Sequence, residues 1–351
     1  MKKNKKDSRG VSRRQFIGTS VSLATGMFMG AGSAFGAPSL IRQLAKPDSN
    51  IKGVQIGVIT YSYRSMPDQS AEAMLKAVVE SGISAVELMG DPAEIYAGRP
   101  ENPVNRQAFF SLMRRSREAY LTNEEQRSME GMQAQMEEYN LRVAEWRANV
   151  SMDKFAELRR MYHDAGVSIY AFKPNAFNAE NSDEEINYAF RAAKALGATS
   201  CTRELPEDPS LTQRLGNLAE NSGVYMGYHN HTQATPTLWD TALDQSAYNT
   251  LNLDIGHWVA AGNPSVIDFI REKHDRITSI HVKDRTTPEN GAQNLMWGEG
   301  NTPIREVLHL MSTEGYSFPF TIELEYQIPE GSNAVNEVKR CFEFSKTALN
   351  A

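Results

Sequence analysis

Eight short apolar runs, separated by segments of helical periodicity, constrain the fold of this chain more than any other feature. They are VQIGVITYSY (54–63), AVELMG (85–90), VSIYAFKP (167–174), TSCTREL (199–205), VYMGYHNH (224–231), LNLDIGHW (251–258), ITSIHVKD (277–284) and FPFTIELEY (318–326). Between them lie segments such as SAEAMLKAVVESGI, EEINYAFRAAKALGA and IREVLHLMSTEGY, each with apolar residues at helical spacing and a glycine near its end, as helix C-caps favour. Eight such βα units in 351 residues predict a single (β/α)8 TIM barrel. The competing fold is a doubly wound open sheet, which ordinarily carries a glycine-rich phosphate loop after its first strand. GVITYSYRSMPD contains no G-x-G-x-x-G.

One unit is too long. About 75 residues separate AVELMG from VSIYAFKP, and a βα unit needs far fewer. The part from Glu101 to Val150 is charged, rich in Glu, Gln, Arg and Met, and holds one proline. It reads as one or two helices inserted after strand 2, serving either as solvated decoration or as a lid.

The N-terminus has the layout of an export signal. A lysine-rich start leads to Arg13-Arg14, then to a weakly apolar run rich in small residues, with a cleavage point before Ala37. The paired arginines resemble a twin-arginine signal over residues 1–36, followed by a linker (37–52) and the barrel (53–351). A periplasmic or otherwise exported protein is expected, with no membrane attachment after cleavage. Two cysteines, Cys201 and Cys341, do not make a disulfide scaffold, so stability must come from a core. The chain carries −6; residues 1–36 hold seven Lys/Arg and one Asp, a net +6, so the remainder carries −12. That balance argues against nucleic acid as a partner and is compatible with a neutral sugar or a divalent cation.

In such a barrel the C-terminal ends of the strands face the active site. Strand 4 ends in Glu204, strand 5 in His229 and His231, strand 6 in Asp254 and His257, strand 7 in His281 and Lys283, and strand 8 in Glu323 and Glu325. Singly, each of these residues reads as a loop cap. Together, carboxylates and imidazoles at one mouth point to one divalent metal ion. The mixture suits Mn²⁺, Co²⁺, Zn²⁺, Fe²⁺ or Ni²⁺ better than Ca²⁺. Tyr61, Tyr63, Trp258 and Trp297 near the same ends read as rim packing or as sugar-stacking surfaces.

GYHNH, NLDIGHW, SIHVKDR, WGEGN and FTIELEY, in this order, resemble the sugar phosphate isomerase/epimerase-like superfamily, the xylose isomerase-like barrels. The resemblance covers about residues 54–345. It implies a divalent metal (Mg²⁺ included) held from strands 5 to 8 by Glu, Asp, His and Glu. Asp254, His281 and Glu323 match the last three; the first is replaced by His229, with Glu204 as its rival for the fourth place. In the epimerases the glutamates of strands 5 and 8 also form the acid/base pair. The resemblance therefore assigns proton transfer to Glu323 and leaves the opposite face to Glu204, His231, His229 or Glu325. His257, Lys283 and Lys173 would contact substrate oxygens.

The chemistry such a site suits is proton abstraction from carbon next to a carbonyl, giving an enediolate. Reprotonation gives isomerisation or epimerisation of a ketose or 3-keto sugar, and loss of a β-substituent makes the enzyme a lyase or hydratase. Endonuclease chemistry, also found in the superfamily, fits poorly with the acidic chain. A non-catalytic sugar-binding barrel is the remaining alternative, kept open by the altered strand 5. A small-molecule sugar is the expected partner, and homo-oligomer assembly is left open.

Overall fold

The computed structural model describes residues 45–351; the expected export signal and the first part of the linker lie outside the described residues. Eight parallel strands form a ring: β1 (Val54–Ile59), β2 (Ala85–Met89), β3 (Ser168–Lys173), β4 (Ser200–Glu204), β5 (Tyr225–His229), β6 (Asn249–Asp254), β7 (Ile277–Val282) and β8 (Phe320–Ile322). Each pairs with the next, and β8 pairs with both β7 and β1, which closes the barrel. A closed ring excludes the open doubly wound sheet.

Alternation along each strand separates two environments. On the outward parity Leu251, Leu253, Ile280, Val282, Phe320 and Ile322 join one core with the surrounding helices. On the inward parity stand Glu87, Thr202, His229, Asn252, Asp254, Ser279, His281 and Thr321, all buried and polar. The runs look continuously apolar because both faces are covered, yet the inner face becomes a polar shaft toward the strand ends.

Two strands are shorter than their apolar runs suggest. After Ile59 the chain coils into a 3-10 turn, Thr60–Tyr63. At the other end Glu323 N still bonds Val282 O (3.0 Å), but Leu324 N bonds the Ser62 hydroxyl (3.0 Å), so the ladder stops there. The aromatic residues split accordingly. Tyr63 bonds Ser81 (2.9 Å), Trp258 bonds Pro264 O (2.7 Å), and Trp297 packs edge-on to Phe320, while Tyr61 is partly exposed. Three of the four are packing residues.

Helices α1 (Ala71–Glu80), α2 (Gly90–Tyr96), α3 (Arg106–Glu118), α4 (Asn123–Asn149), α5 (Asp153–Asp164), α6 (Asp183–Leu196) and α7 (Pro209–Ser222) follow in chain order. Ser70, Ser182 and Asp208 cap three of them, and Gly197 and Gly223 end α6 and α7 with positive φ. The insertion after β2 is α3 and α4. A capping box from Thr122 and Glu125 starts α4, which buries only the thin stripe Tyr139, Val143 and Arg147. Arg147 anchors that stripe: it pairs with Glu185 of α6 (2.7 Å), donates to Asn175 O (2.7 Å) and lies 3.9 Å from the buried Glu94. Among the described residues no helix is long and apolar enough to cross a membrane. Both cysteines are buried and free.

Candidate metal centre

His229, Asp254, His281 and Glu323, from four consecutive strand ends, bring one ligand atom each to within 4.8 Å of one another. Register places them: Asp254 lies opposite His281, and His281 opposite Thr321, two residues before Glu323. All four are buried.

The hydrogen-bond network beneath decides which ring nitrogen faces the group. Asn252 uses its amide N–H groups on Glu87 Oε2 (3.2 Å) and Ser279 Oγ (2.6 Å), so its Oδ1 must accept from His229 Nδ1 (2.7 Å). Nε2 of His229 therefore keeps its lone pair, 3.8 Å from Asp254 Oδ2. Burial, then Lys173 and His281, hold the His229 pKa well below its ordinary value, so the imidazole is neutral. That is the form a metal needs.

His281 sits between two carboxylates, with Nε2 2.7 Å from Glu87 and Nδ1 2.8 Å from Glu323. Burial disfavours its charge, but Glu87 and Glu323 outweigh it and lift the pKa to about 10. Glu87 was not anticipated from the sequence. It is fully buried, also accepts from Thr202 (2.6 Å), and stays ionised, with His281 and Lys173 overcoming the burial penalty. The one signal available was a carboxylate at inward parity inside the apolar run AVELM, since a buried acid requires partners.

Asp254 has two separate jobs. Its Oδ1 accepts from His257 N (2.6 Å) and caps the short helix Ile255–Ala260. Its Oδ2 is buried with no hydrogen-bond partner, although Lys283 Nζ lies 3.1 Å away. Burial, opposed by Lys283, raises the Asp254 pKa to about 6. Lys283 also lies 3.1 Å from Glu323, 2.7 Å from Glu325 and 3.2 Å from His257 Nε2. The three carboxylates Asp254, Glu323 and Glu325 thus share the one ammonium of Lys283, a deficit of two positive charges. A proton on His281 supplies one of them, whereas a divalent ion supplies two. The orphaned Asp254 oxygen, the charge deficit and a two-nitrogen, two-oxygen donor set fit a transition-metal ion.

The other predicted residues stand around this group. Glu204 lies at the rim, paired with Lys173 (2.9 Å) and 3.4 Å from His231; it is not one of the four clustered donors. His231 is exposed, its ring 4.8 Å from that of His257. Burial, then Lys283 and Arg285, push the His257 pKa down to about 2. His229, His231 and His257 form a second close group, but His229 has one free nitrogen, so the two groups compete for it. Asp284 is a loop holder: it accepts from the backbones of Gly298 (2.7 Å), Gly300 (3.0 Å) and Thr302 (3.1 Å). Gly256 is required by close approach, since a Cβ there would lie 2.5 Å from Lys283 O.

The sequence profile of the xylose isomerase-like TIM barrels matches residues 75–344. The chain belongs to that family. Among solved structures it is similar to a sugar phosphate isomerase/epimerase from Parabacteroides distasonis (15% identity, 86% of this chain and 97% of that one, TM-score 0.55). It is also similar to D-psicose 3-epimerase from Clostridium cellulolyticum, solved with D-tagatose (12%, 84% and 99%, 0.53). A third is a probable 3-DHS dehydratase from Bacillus anthracis (14%, 83% and 98%, 0.53). At these identities the likeness is one of fold. No curated protein matches the chain.

Glu87 provides a direct check on the centre. Glu87→Gln keeps the shape but turns the acceptor of the His281 Nε2–H into a group that can present an amide N–H. Metal affinity should fall by about 10–100-fold, as for other residues that orient a metal-ligating histidine. Calorimetric titration with Zn²⁺ or Mn²⁺ measures it. Wild-type affinity in that variant would remove Glu87 from the centre.

Proposed function

We propose that the protein is a divalent-metal-dependent sugar isomerase or epimerase that removes a proton from carbon beside a carbonyl. The observation that carries this reading is the buried group His229, Asp254, His281 and Glu323, in which a neutral imidazole nitrogen lies 3.8 Å from an Asp254 oxygen that accepts no hydrogen bond. When bound there, a divalent ion supplies Lewis-acid polarisation of a carbonyl and its neighbouring hydroxyl.

The remaining work falls to the chain. Burial opposes the charge of Glu323, but Lys283 and His281 hold its pKa well below the ordinary range, so it stands deprotonated, the state a base must start from. Lys283, kept protonated by Asp254, Glu323 and Glu325 despite burial, donates hydrogen bonds and holds Glu325 in place. On the other side the available groups are His229, already committed through Nδ1 to Asn252, and the exposed His231 beside Glu204. A base fixed on one face only is the feature that favours the second reading, elimination or hydration of a 3-keto glycoside. The similarity to both an epimerase and a probable dehydratase is compatible with either outcome. Metal-loaded protein incubated in D₂O with ketoses and 3-keto glycosides should exchange one carbon-bound proton, seen by NMR. Absence of exchange across the panel would leave the sugar-binding barrel as the better reading.

We also propose that residues 1–36 export the folded chain, which would present the site to unphosphorylated sugars. Arg13→Lys with Arg14→Lys should block export, and unchanged fractionation of that variant would sink the assignment.

A further inference from the structure

A cavity of about 860 Å³ lies between the insertion helix α4 and the barrel rim. Its barrel wall includes Asp91, just past β2, and Asn175, two residues beyond Lys173 at the end of β3. Lys173 holds Glu204, which lies beside His229 in the β4–β5 register. Two residues of extended chain span at most about 7 Å. The cavity wall and the charged rim therefore share the segment that follows β3.

Its lining has a definite chemistry. Asn102, Asn140, Asn175 and Asn178 supply amides, and Phe109 and Tyr139 supply aromatic rings. An amide can both donate to and accept from sugar hydroxyls, and a ring packs against the C–H face of a pyranose. The two arginines of the wall are already engaged: Arg99 with Asp91 (2.7 Å) and Glu94 (2.6 Å), Arg147 with Glu185 (2.7 Å). Glu137 and Glu180, also in the lining, add negative charge. Each wall arginine is thus already neutralised by at least one carboxylate, and the acidic side chains of the lining outnumber the arginines, which disfavours a phosphate or carboxylate as occupant. The volume lies within the range of roughly 300–1,000 Å³ typical of small-molecule sites.

We propose that this cavity is a subsite for a second, neutral sugar ring, so that the substrate is a glycoside or disaccharide rather than a free monosaccharide. The inference deepens the sugar proton-transfer reading and rests on it. The insertion is then a wall of the substrate cleft, held in place by the Arg147–Glu185 pair.

Calorimetry and saturation-transfer NMR on the full chain with divalent metal added, using cellobiose, maltose and glucose as probes, test it. At least one disaccharide should bind about tenfold tighter than glucose, the equivalent of one or two net hydrogen bonds. The pair Phe109→Ala, Asn140→Ala should erase that advantage while leaving glucose affinity and the thermal midpoint unchanged. Asn178→Ala should reduce it from the opposite wall, independently of any effect on the insertion helices. Equal affinity for all three sugars, or an advantage that survives both sets of substitutions, overturns the subsite. Deuterium exchange from simple ketoses is scored separately. Exchange without a disaccharide advantage removes the subsite and leaves the proposed chemistry; an advantage without exchange upholds sugar binding in the cavity and removes the chemistry.

Discussion

An Asp254→Ala, His281→Ala variant is expected to retain no stoichiometric divalent metal after dialysis, and to lose activity by a factor on the order of a thousand or more. The double change removes one oxygen and one nitrogen of the four clustered donors, and two remaining donors cannot hold a transition metal against water. Elemental analysis of the dialysed protein reads the outcome, and metal at one per chain in the variant would abolish the site. The same change has a structural cost to be measured beside it. Losing the Asp254 cap costs about 1 kcal/mol. Taking His281 from between two carboxylates leaves Glu87 buried with only neutral hydrogen-bond partners, a loss of about 3–5 kcal/mol for a broken buried pair. Asp254→Asn keeps the cap oxygen and the histidine, so a drop in metal affinity there cannot be attributed to unfolding.

Glu323→Gln should abolish deuterium exchange at the carbon beside the carbonyl, by roughly 10²–10⁴-fold, while a neutral sugar still binds within a few-fold of wild type. Glu323 accepts from His281 (2.8 Å) and lies 3.1 Å from Lys283, so the amide keeps the shape and loses the basic oxygen. Exchange at the wild-type rate would show that another group removes the proton. His229 or Glu204 would then be the next candidate. Because Glu323 is also a clustered donor, metal content must be measured in the same sample. Loss of exchange with metal retained assigns the proton to Glu323 itself, whereas loss of both assigns Glu323 first to the metal.

Much of the architecture is legible in the sequence. Eight apolar runs with helical segments between them, and strand ends carrying acids and imidazoles, were sufficient to expect the closed ring and the mouth at which Asp254, His281 and Glu323 meet. That legibility has a local cause. Period-two alternation and helix caps are written within a dozen residues, and in a parallel barrel every strand end reaches the same face.

Other features were settled only when the ring closed. Glu87 and His281 are 194 residues apart, and neither flanking sequence names the other. Glu204 and His229 were rivals for one place, and they are register neighbours on adjacent strands. What separates them is Lys173 from β3, which draws Glu204 to the rim, while Asn252 from β6 turns His229 inward. The insertion was visible as charged helical sequence, yet only the contacts of Arg147 with Glu185 and Asn175 show that it walls a cavity. The sequence by itself determined which chemistry gathers at the mouth, because strand parity and strand ends are local properties. The tertiary structure alone decided which atom faces which, because buried charges choose partners by distance across the barrel, and that distance depends on every strand at once.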